Sequence, residues 1–162
     1  MSKKQQINKT NAMRQLDSAN IEYEIATYNY DESDLSGVHA AKELGVPEEQ
    51  VFKTLVAVGD NNLLSVYMLP VAENLDLKKA AVCSGNKRVE LIHVKDIEKH
   101  TGYIRGGCSP IGMKKQYPTF IDETSVLFDK IYFSGGKRGL QIILNPLILA
   151  DFVSAKICDL TK

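Results

Sequence analysis

The sequence predicts an α+β fold, one domain over residues 1–162 in which helices flank a mixed, strongly curved and barrel-like sheet. Two observations favour this class. Alternating apolar segments typical of strands are interspersed with amphipathic helical segments, but the regular strand–helix–strand order of a doubly wound parallel sheet is missing. In addition, no repeat, low-complexity tract or linker-like run divides the 162 residues, which suffice for one sizeable core.

The first quarter of the chain predicts a helix, a strand and a second helix. Apolar spacing indicates a helix over residues 11–19, and alternation indicates a strand over residues 21–28. After a polar loop, Ser36 has the residue type of an N-cap, and Gly45 has that of a C-terminal stop. We therefore expect a short helix between these two residues.

The centre of the predicted sheet is a hairpin. Residues 51–58 and 63–69 are apolar and rich in branched side chains, and the segment between them is Gly-Asp-Asn-Asn. The remaining predicted elements are a helix over 75–85, a strand over 89–94, a helix over 96–102, strands over 118–122, 130–134 and 140–145, and a C-terminal helix over 146–157.

Charge is balanced overall but not along the chain. The formal net charge is zero, which argues against an arm for bulk nucleic-acid binding. Residues 1–52 carry five basic and nine acidic side chains, whereas residues 78–138 carry twelve basic and six acidic ones. The second segment could present a positive face to a polyanion, or its lysines could be spread over a solvated surface.

The sequence also predicts a cytoplasmic protein with no membrane partner. The first twelve residues lack the apolar stretch of a secretory signal. The most apolar later segment, residues 140–153, is interrupted by Asn145, Pro146 and Asp151.

The cysteines predict free thiols. Cys83, Cys108 and Cys158 are too few and too scattered for a disulfide framework, and the histidines do not lie at ligand spacing from them. We expect no structural metal and no cofactor.

The segment TGYIRGGCSPIGMKK, residues 101–115, is the first candidate functional motif. Gly106, Gly107 and Gly112 permit close backbone approaches, and Pro110 stiffens the segment. Such a loop can direct peptide N–H groups at a carbonyl, ribose or phosphate oxygen. The alternative is a tight connection that binds nothing, and the spacing matches neither a P-loop nor a dinucleotide-binding motif.

Lys53 is the second candidate, because it interrupts an otherwise apolar strand. A buried ammonium group needs a partner or a function, although a lysine at a strand end can also extend to solvent. A second glycine turn, residues 134–139, supplies a hydroxyl and two cations but could be a plain hairpin loop. Cys108 has no histidine near it in sequence, so the residues offer no obvious protein nucleophile.

Taken together, the segments VFKT, GYIRGGCSPIG, PTFID and IYFSGGKRGL resemble those of the prolyl-tRNA editing-domain superfamily of aminoacyl-tRNA deacylases. Within it, the chain is most similar to the YbaK/EbsC-like branch that acts on Cys-tRNA(Pro). The similarity runs over nearly the whole chain in the same motif order. It implies a free-standing trans-editing hydrolase, with the 3′ CCA end of an aminoacyl-tRNA as substrate and prolyl-tRNA synthetase as a candidate partner.

The resemblance also implies site residues. Catalytic roles fall on Lys53, Gly106 and Ser134. Substrate-binding roles fall on Tyr28, Thr54, Gly102, Gly107, Ser109, Pro110, Gly135 and Gln141. The basic pairs on two loops give candidate tRNA phosphate-binding residues, namely Lys114, Lys115, Lys137 and Arg138.

In the Cys-specific branch the substrate thiol is thought to attack its own ester, which would explain the missing nucleophile. Cys-tRNA(Pro) is therefore the expected substrate, with Cys-tRNA(Cys) as a further one. Two alternatives stay open: hydrolysis of another misacylated tRNA such as Ala-tRNA(Pro), and a non-catalytic tRNA-binding or regulatory module. The chain departs from the family at Gln141, where relatives commonly carry an acidic residue.

Overall fold

The computed structural model describes residues 8–162, and the strands in this part of the chain form two sheets. Residues 1–7, which belong to the segment predicted to lack a secretory signal, fall outside the described residues. The strands are β1 Glu24–Thr27, β2 Phe52–Gly59, β3 Leu64–Pro70, β4 Val89–Leu91, β5 Thr119–Asp122, β6 Ile131–Ser134, β7 Leu140–Leu144 and β8 Lys156–Cys158. The α-helices are α1 Asn11–Ser18, α2 Gly37–Leu44, α3 Leu77–Ser84, α4 Ile97–Thr101 and α5 Pro146–Phe152.

The predicted α+β class is confirmed, but the predicted barrel-like curvature is wrong. One sheet has the order β1-β7-β6 and the other β4-β2-β3-β5-β8, and in the second sheet β5 runs parallel to both β3 and β8. Both sheets are open, because each ends in strands that pair on one side only. An isolated parallel bridge between Val51 and Tyr132 links them, and one bridge cannot continue a ladder around a barrel.

The hairpin and the helix caps agree with the sequence predictions. β2 and β3 pair antiparallel from Phe52 opposite Pro70 to Val58 opposite Leu64. The hydroxyl of Ser36 accepts a hydrogen bond from the His39 amide and begins α2, which ends at Gly45 in the left-handed conformation. Local chemistry alone determines these features.

The predicted C-terminal helix is too long. α5 ends at Phe152, Ser154 takes a φ of 54°, and the chain then forms β8. The amide of Ala155 donates to the Ala150 carbonyl, which closes the helix end. Residues 156–158 pair with β5, a partner distant in sequence, so a local pattern could not indicate this strand.

The prediction of free thiols is wrong for two of the three cysteines. Cys83 on α3 and Cys158 on β8 form a disulfide, and Cys108 is free. The paired cysteines are 75 positions apart, and the strand that brings them together was not predicted. Sequence spacing therefore gave no indication of the pair.

Two packing layers hold the sheets in place. The larger buried cluster packs α1 and α5 against β5, β6 and β7, and a second cluster packs α3 against β2, β3 and β5. Within residues 8–162, no helix combines the length and apolar character needed to cross a bilayer.

Candidate active site

Residues from both sheets line a cleft of about 480 Å³. One wall comes from the start of β2, a second from the end of β6 and the start of β7, and a third from the loop before α2. The glycine-rich loop closes the fourth side. The lining includes Tyr28, Ser33, Leu35, Ser36, Val51, Phe52, Lys53, Thr54, Val71, Arg105, Gly106, Cys108, Ser134 and Gln141.

Lys53 enters this cleft from β2 and is held there by a backbone contact. Its Nζ donates a hydrogen bond of 2.5 Å to the carbonyl of Glu73. Burial lowers the pKa of Lys53 below its ordinary value, and the nearby Glu73 carboxylate partly opposes this shift. The neighbouring Phe52 is buried in the core, 2% exposed. The strand thus supplies a partly desolvated cation to the cleft, which can stabilise negative charge on a ligand.

The glycine-rich loop reaches the same cleft through Gly106. This residue has a φ of 85°, and an added Cβ would lie 3.4 Å from the Leu35 side chain. Gly107 packs against backbone, because a Cβ there would lie only 2.9 Å from Cα of Lys137. The loop therefore depends on the missing side chains to lie against the second glycine turn.

Five predicted substrate-binding residues lie on the two glycine-rich loops but not in the cleft lining, and Gly107, described above, is one of them. Ser109 is fully buried and accepts from the Ile111 amide, and Pro110 is buried beside it. Gly102 ends α4 in the left-handed conformation, and the Gly135 amide donates to the Leu140 carbonyl. These residues shape the loops that carry the lining.

The predicted phosphate-binding cations lie on the two loops beside the cleft. Lys114 covers Gly102 and donates to the Lys99 carbonyl at 3.2 Å. Arg138 Nε donates to the Arg105 carbonyl at 2.9 Å and thereby ties the two loops together. Arg105 lines the cleft, although the sequence reasoning did not select it. Its position as the one charged residue between Gly102 and Gly107 was an available signal. The two remaining predicted cations, Lys115 and Lys137, are both exposed.

Two lining residues carry polar atoms that are buried without a hydrogen-bond partner, Thr54 Oγ1 and Gln141 Oε1. Gln141 is 6% exposed. The Oε1 atom of its amide is therefore an available hydrogen-bond acceptor. Burial raises the pKa of Tyr28, opposed by hydrogen bonds from the Gly139 backbone and the Gln141 side chain. A ligand with suitably placed donors could satisfy both unpartnered oxygens.

The loop before α2 is a wall that the sequence reasoning missed. Asp31 accepts from the amide and hydroxyl of Ser33, and Asp34 accepts in the same way from Ser36. These two successive turns fix the loop against the cleft. The repeated Asp-x-Ser spacing was the signal that could have revealed them.

Cys108 is part of the lining but is not an activated thiol. Burial raises its pKa to about 11, opposed by a hydrogen bond with the side chain of Thr101. The thiol is therefore protonated at neutral pH, and the thiolate is the reactive form. Ser134, another lining hydroxyl, accepts a hydrogen bond from the Gly136 amide.

A strand lysine facing a glycine-rich loop, between two open sheets of an α+β domain, defines the class of tRNA-editing domains that the sequence resembles. The chain belongs to the aminoacyl-tRNA editing domain family, whose model matches residues 35–152. It is 44% identical over 161 residues to EbsC of Enterococcus faecalis, covering 99% of this chain and 98% of that protein. EbsC is described as a candidate Cys-tRNA(Pro)/Cys-tRNA(Cys) deacylase.

Two further matches are more distant, one in sequence and one in structure. YwhH of Bacillus subtilis, an uncharacterised protein, is 24% identical over 118 residues, covering 73% of this chain and 74% of that protein. A crystal structure of a candidate trans-editing enzyme for prolyl-tRNA synthetase superposes with a TM-score of 0.82 at 22% identity. That match covers 96% of this chain and 99% of the other. The family and the α+β editing fold predicted from the sequence are confirmed.

Proposed function

We propose that this chain is a trans-editing deacylase that releases cysteine from Cys-tRNA(Pro) and from Cys-tRNA(Cys). One observation carries the proposal: Lys53, Gly106 and Ser134, the three residues predicted to be catalytic, line one cleft. The 44% identity to EbsC over almost the full length of both chains supports the substrate class.

In the proposed mechanism the substrate supplies the nucleophile. The cysteinyl sulfur bonds to its own ester carbonyl carbon, the carbonyl–ribose C–O bond breaks, and the ribose oxygen takes up the thiol proton. The products are a cyclic thiolactone and free tRNA, and water then opens the thiolactone to cysteine. This scheme is supported by the cleft lining, because among residues 8–162 no histidine lies in it and its one thiol has a raised pKa.

Under this scheme the protein positions the reacting atoms and stabilises developing charge. Orientation alone can supply about 7–11 kcal/mol of the barrier reduction. Lys53 would steady the oxygen atoms of the ester and the terminal ribose, because it is less exposed than Arg105, the other cation in the described cleft lining. The backbone of Gly106 would lie against the aminoacyl group, where a side chain would block it.

The cations beside the cleft would hold the descending tRNA phosphates. Lys114, Lys115, Lys137 and Arg138 lie on the two glycine-rich loops. Because the net charge of the chain is zero, its unaided affinity for tRNA should be modest, and prolyl-tRNA synthetase is a candidate helper. Such an enzyme would act in the cytoplasm, where tRNA is charged.

A panel of charged tRNAs tests the proposal. Cys-tRNA(Pro), Cys-tRNA(Cys), Ser-tRNA(Pro) and Ala-tRNA(Pro) are incubated with the wild type, and the released amino acid is measured over time. Release from both cysteinyl tRNAs with little release from Ser-tRNA(Pro) is expected, since serine nearly matches cysteine in shape but lacks the thiol.

The other outcomes identify the alternatives. Rapid release of alanine or serine would show that water is the attacking group and would overturn the thiol mechanism. Tight tRNA binding with no release of amino acid from any of the four charged tRNAs would show that the protein is a non-catalytic tRNA-binding module.

A further inference from the structure

Tyr30 is a large aromatic residue that remains 48% exposed beside the cleft. It follows the cleft-lining Tyr28 by two positions, and its ring packs against the glycine turn. An added Cβ on Gly139 would lie 3.0 Å from Cδ1 and 3.7 Å from Cε1 of Tyr30. Gly139 also has a φ of 81°, a conformation that favours glycine. The absence of a side chain at Gly139 also leaves space for the Tyr30 ring.

A cation lies on the other side of this turn. Arg138 is the neighbour of Gly139, and its stem approaches Gly106, since an added Cβ there would lie 3.5 Å from Cγ of Arg138. Its Nε is fixed by the carbonyl of Arg105 at 2.9 Å. Tyr30 therefore lies against Gly139, and the adjacent Arg138 reaches the cleft-lining Gly106; we call Tyr30, Gly139 and Arg138 the Tyr30 platform.

The charge around the platform is polarised. On the chain segment after Tyr30, Asp31 and Asp34 are held by hydrogen bonds from Ser33 and Ser36, which lower the pKa of both carboxyl groups. Both aspartates are thus anions at neutral pH and repel phosphate, while Arg138 attracts it. A nucleic-acid strand on this surface would place its phosphates towards Arg138 and a base towards the ring.

We propose that the Tyr30 platform binds a nucleobase of the single-stranded tRNA 3′ end by stacking, while Arg138 contacts a phosphate. The identity of this ligand rests on the proposed function. If the aminoacyl ester and the terminal adenosine occupy the cleft, the preceding base lies at the rim of the cleft. Stacking on an aromatic ring suits this task because every base has a π face. Arg138 is also a phosphate-binding candidate from the sequence, whereas base stacking by Tyr30 is new.

A tryptophan reporter tests the proposal directly. The chain contains no tryptophan, so Tyr30→Trp introduces a unique fluorophore on the platform. It is titrated with uncharged tRNA(Pro) and with the same tRNA lacking its terminal CCA. Leu127→Trp is the control, since Leu127 is 77% exposed and does not line the cleft.

Intact tRNA should quench the tryptophan fluorescence of Tyr30→Trp, and truncated tRNA should not. The fluorescence of Leu127→Trp should change with neither tRNA. Equal quenching by both tRNAs, or no quenching by either, would overturn the platform. Because the titration uses uncharged tRNA, it is independent of catalysis. If intact tRNA quenches the fluorescence but the wild type releases no amino acid, the platform proposal stands and the proposed function is wrong. If amino acid is released but the fluorescence is not quenched, the proposed function stands and the platform proposal is wrong.

Kinetics provide the second measurement. Tyr30→Ala should raise KM for Cys-tRNA(Pro) by about 10-fold, the size expected for losing one stacked base, with kcat unchanged. Tyr30→Phe, which keeps the aromatic ring, should have a KM close to the wild-type value. An unchanged KM in Tyr30→Ala, or a defect that Tyr30→Phe shares in full, would contradict stacking. Thermal unfolding of both variants separates these effects from misfolding.

Discussion

Two regions of the molecule contain buried polar groups, but these groups have hydrogen-bond partners in one region and lack them in the other. In the C-terminal seam, where α3 and β5 meet residues 156–162, the buried carboxylate of Asp122 accepts from the Leu160 amide at 2.9 Å and from Thr124. Lys79 pairs with Asp159 at 2.8 Å. In the cleft, by contrast, Thr54 Oγ1 and Gln141 Oε1 are buried and have no partner.

The difference separates a structural region from a functional one. A buried polar atom without a partner costs about 1–3 kcal/mol, and a ligand in the cleft could offset this cost at Thr54 and Gln141. The seam instead satisfies its polar atoms and adds a covalent link, Cys83–Cys158. Changes in the cleft should therefore reduce activity with little loss of stability, and changes in the seam should do the reverse.

The largest effect is expected at Lys53. Lys53→Ala should lower kcat/KM for Cys-tRNA(Pro) by roughly 100-fold or more, the range seen when one charge-stabilising group is lost from an active site. The melting temperature should not fall, because burial already lowers the pKa of this lysine and so disfavours its charged form in the folded state. Lys78→Ala, an exposed lysine on α3, is the matched control and should be close to wild type. Near-normal turnover in Lys53→Ala would remove the residue from the mechanism.

The next effect concerns the disulfide. Reduction of Cys83–Cys158 should lower the free energy of unfolding by about 2–4 kcal/mol, because the link closes a long loop in the unfolded chain. Denaturant unfolding with and without reductant measures this, and Cys83→Ser should be insensitive to reductant. The folded, reduced protein should keep its turnover, since neither cysteine lines the cleft. A loss of turnover on reduction would instead couple the seam to the active site.

A slightly smaller loss of stability is expected when Asp122, which is 1% exposed, is replaced. Asp122→Ala leaves the Leu160 amide and both Thr124 donors without their acceptor, which should cost about 2–3 kcal/mol of stability. The measurement is the urea midpoint, with Asp129→Ala, an exposed aspartate, as control. If the variant instead lost activity at full stability, the seam would not be a purely structural region.

Local chemistry explains which features could be predicted from the sequence. The β2–β3 hairpin, the Ser36 and Gly45 caps, and the presence of Lys53 and Gly106 at one cleft all follow from short motifs or from the family resemblance. Each depends on residues close in sequence or on a motif shared with relatives.

The features that could not be predicted depend on distant pairings. β8 forms only because β5, more than 30 residues earlier, offers an edge, and this pairing also creates the disulfide. The separation into two open sheets depends on β7 pairing with β1 and β6, while a single bridge between Val51 and Tyr132 connects this sheet with the start of β2. Arg105 lines the cleft, and the Arg138 side chain donates to its carbonyl, a contact across 33 positions that no local pattern indicates.

The smallest effect gives the sharpest comparison, because it contrasts two buried hydroxyls that both lack a partner. Thr54 Oγ1 lies in the cleft, whereas Ser125 Oγ lies in the turn after β5, away from the cleft. Thr54→Val should raise KM for Cys-tRNA(Pro) by about 5-fold, equivalent to one hydrogen bond of about 1 kcal/mol to the substrate, while stability stays the same or rises. Ser125→Ala should leave KM unchanged. If both variants left KM unchanged, an unpartnered oxygen would mark no function here, and the contrast between cleft and seam would rest on Lys53 alone.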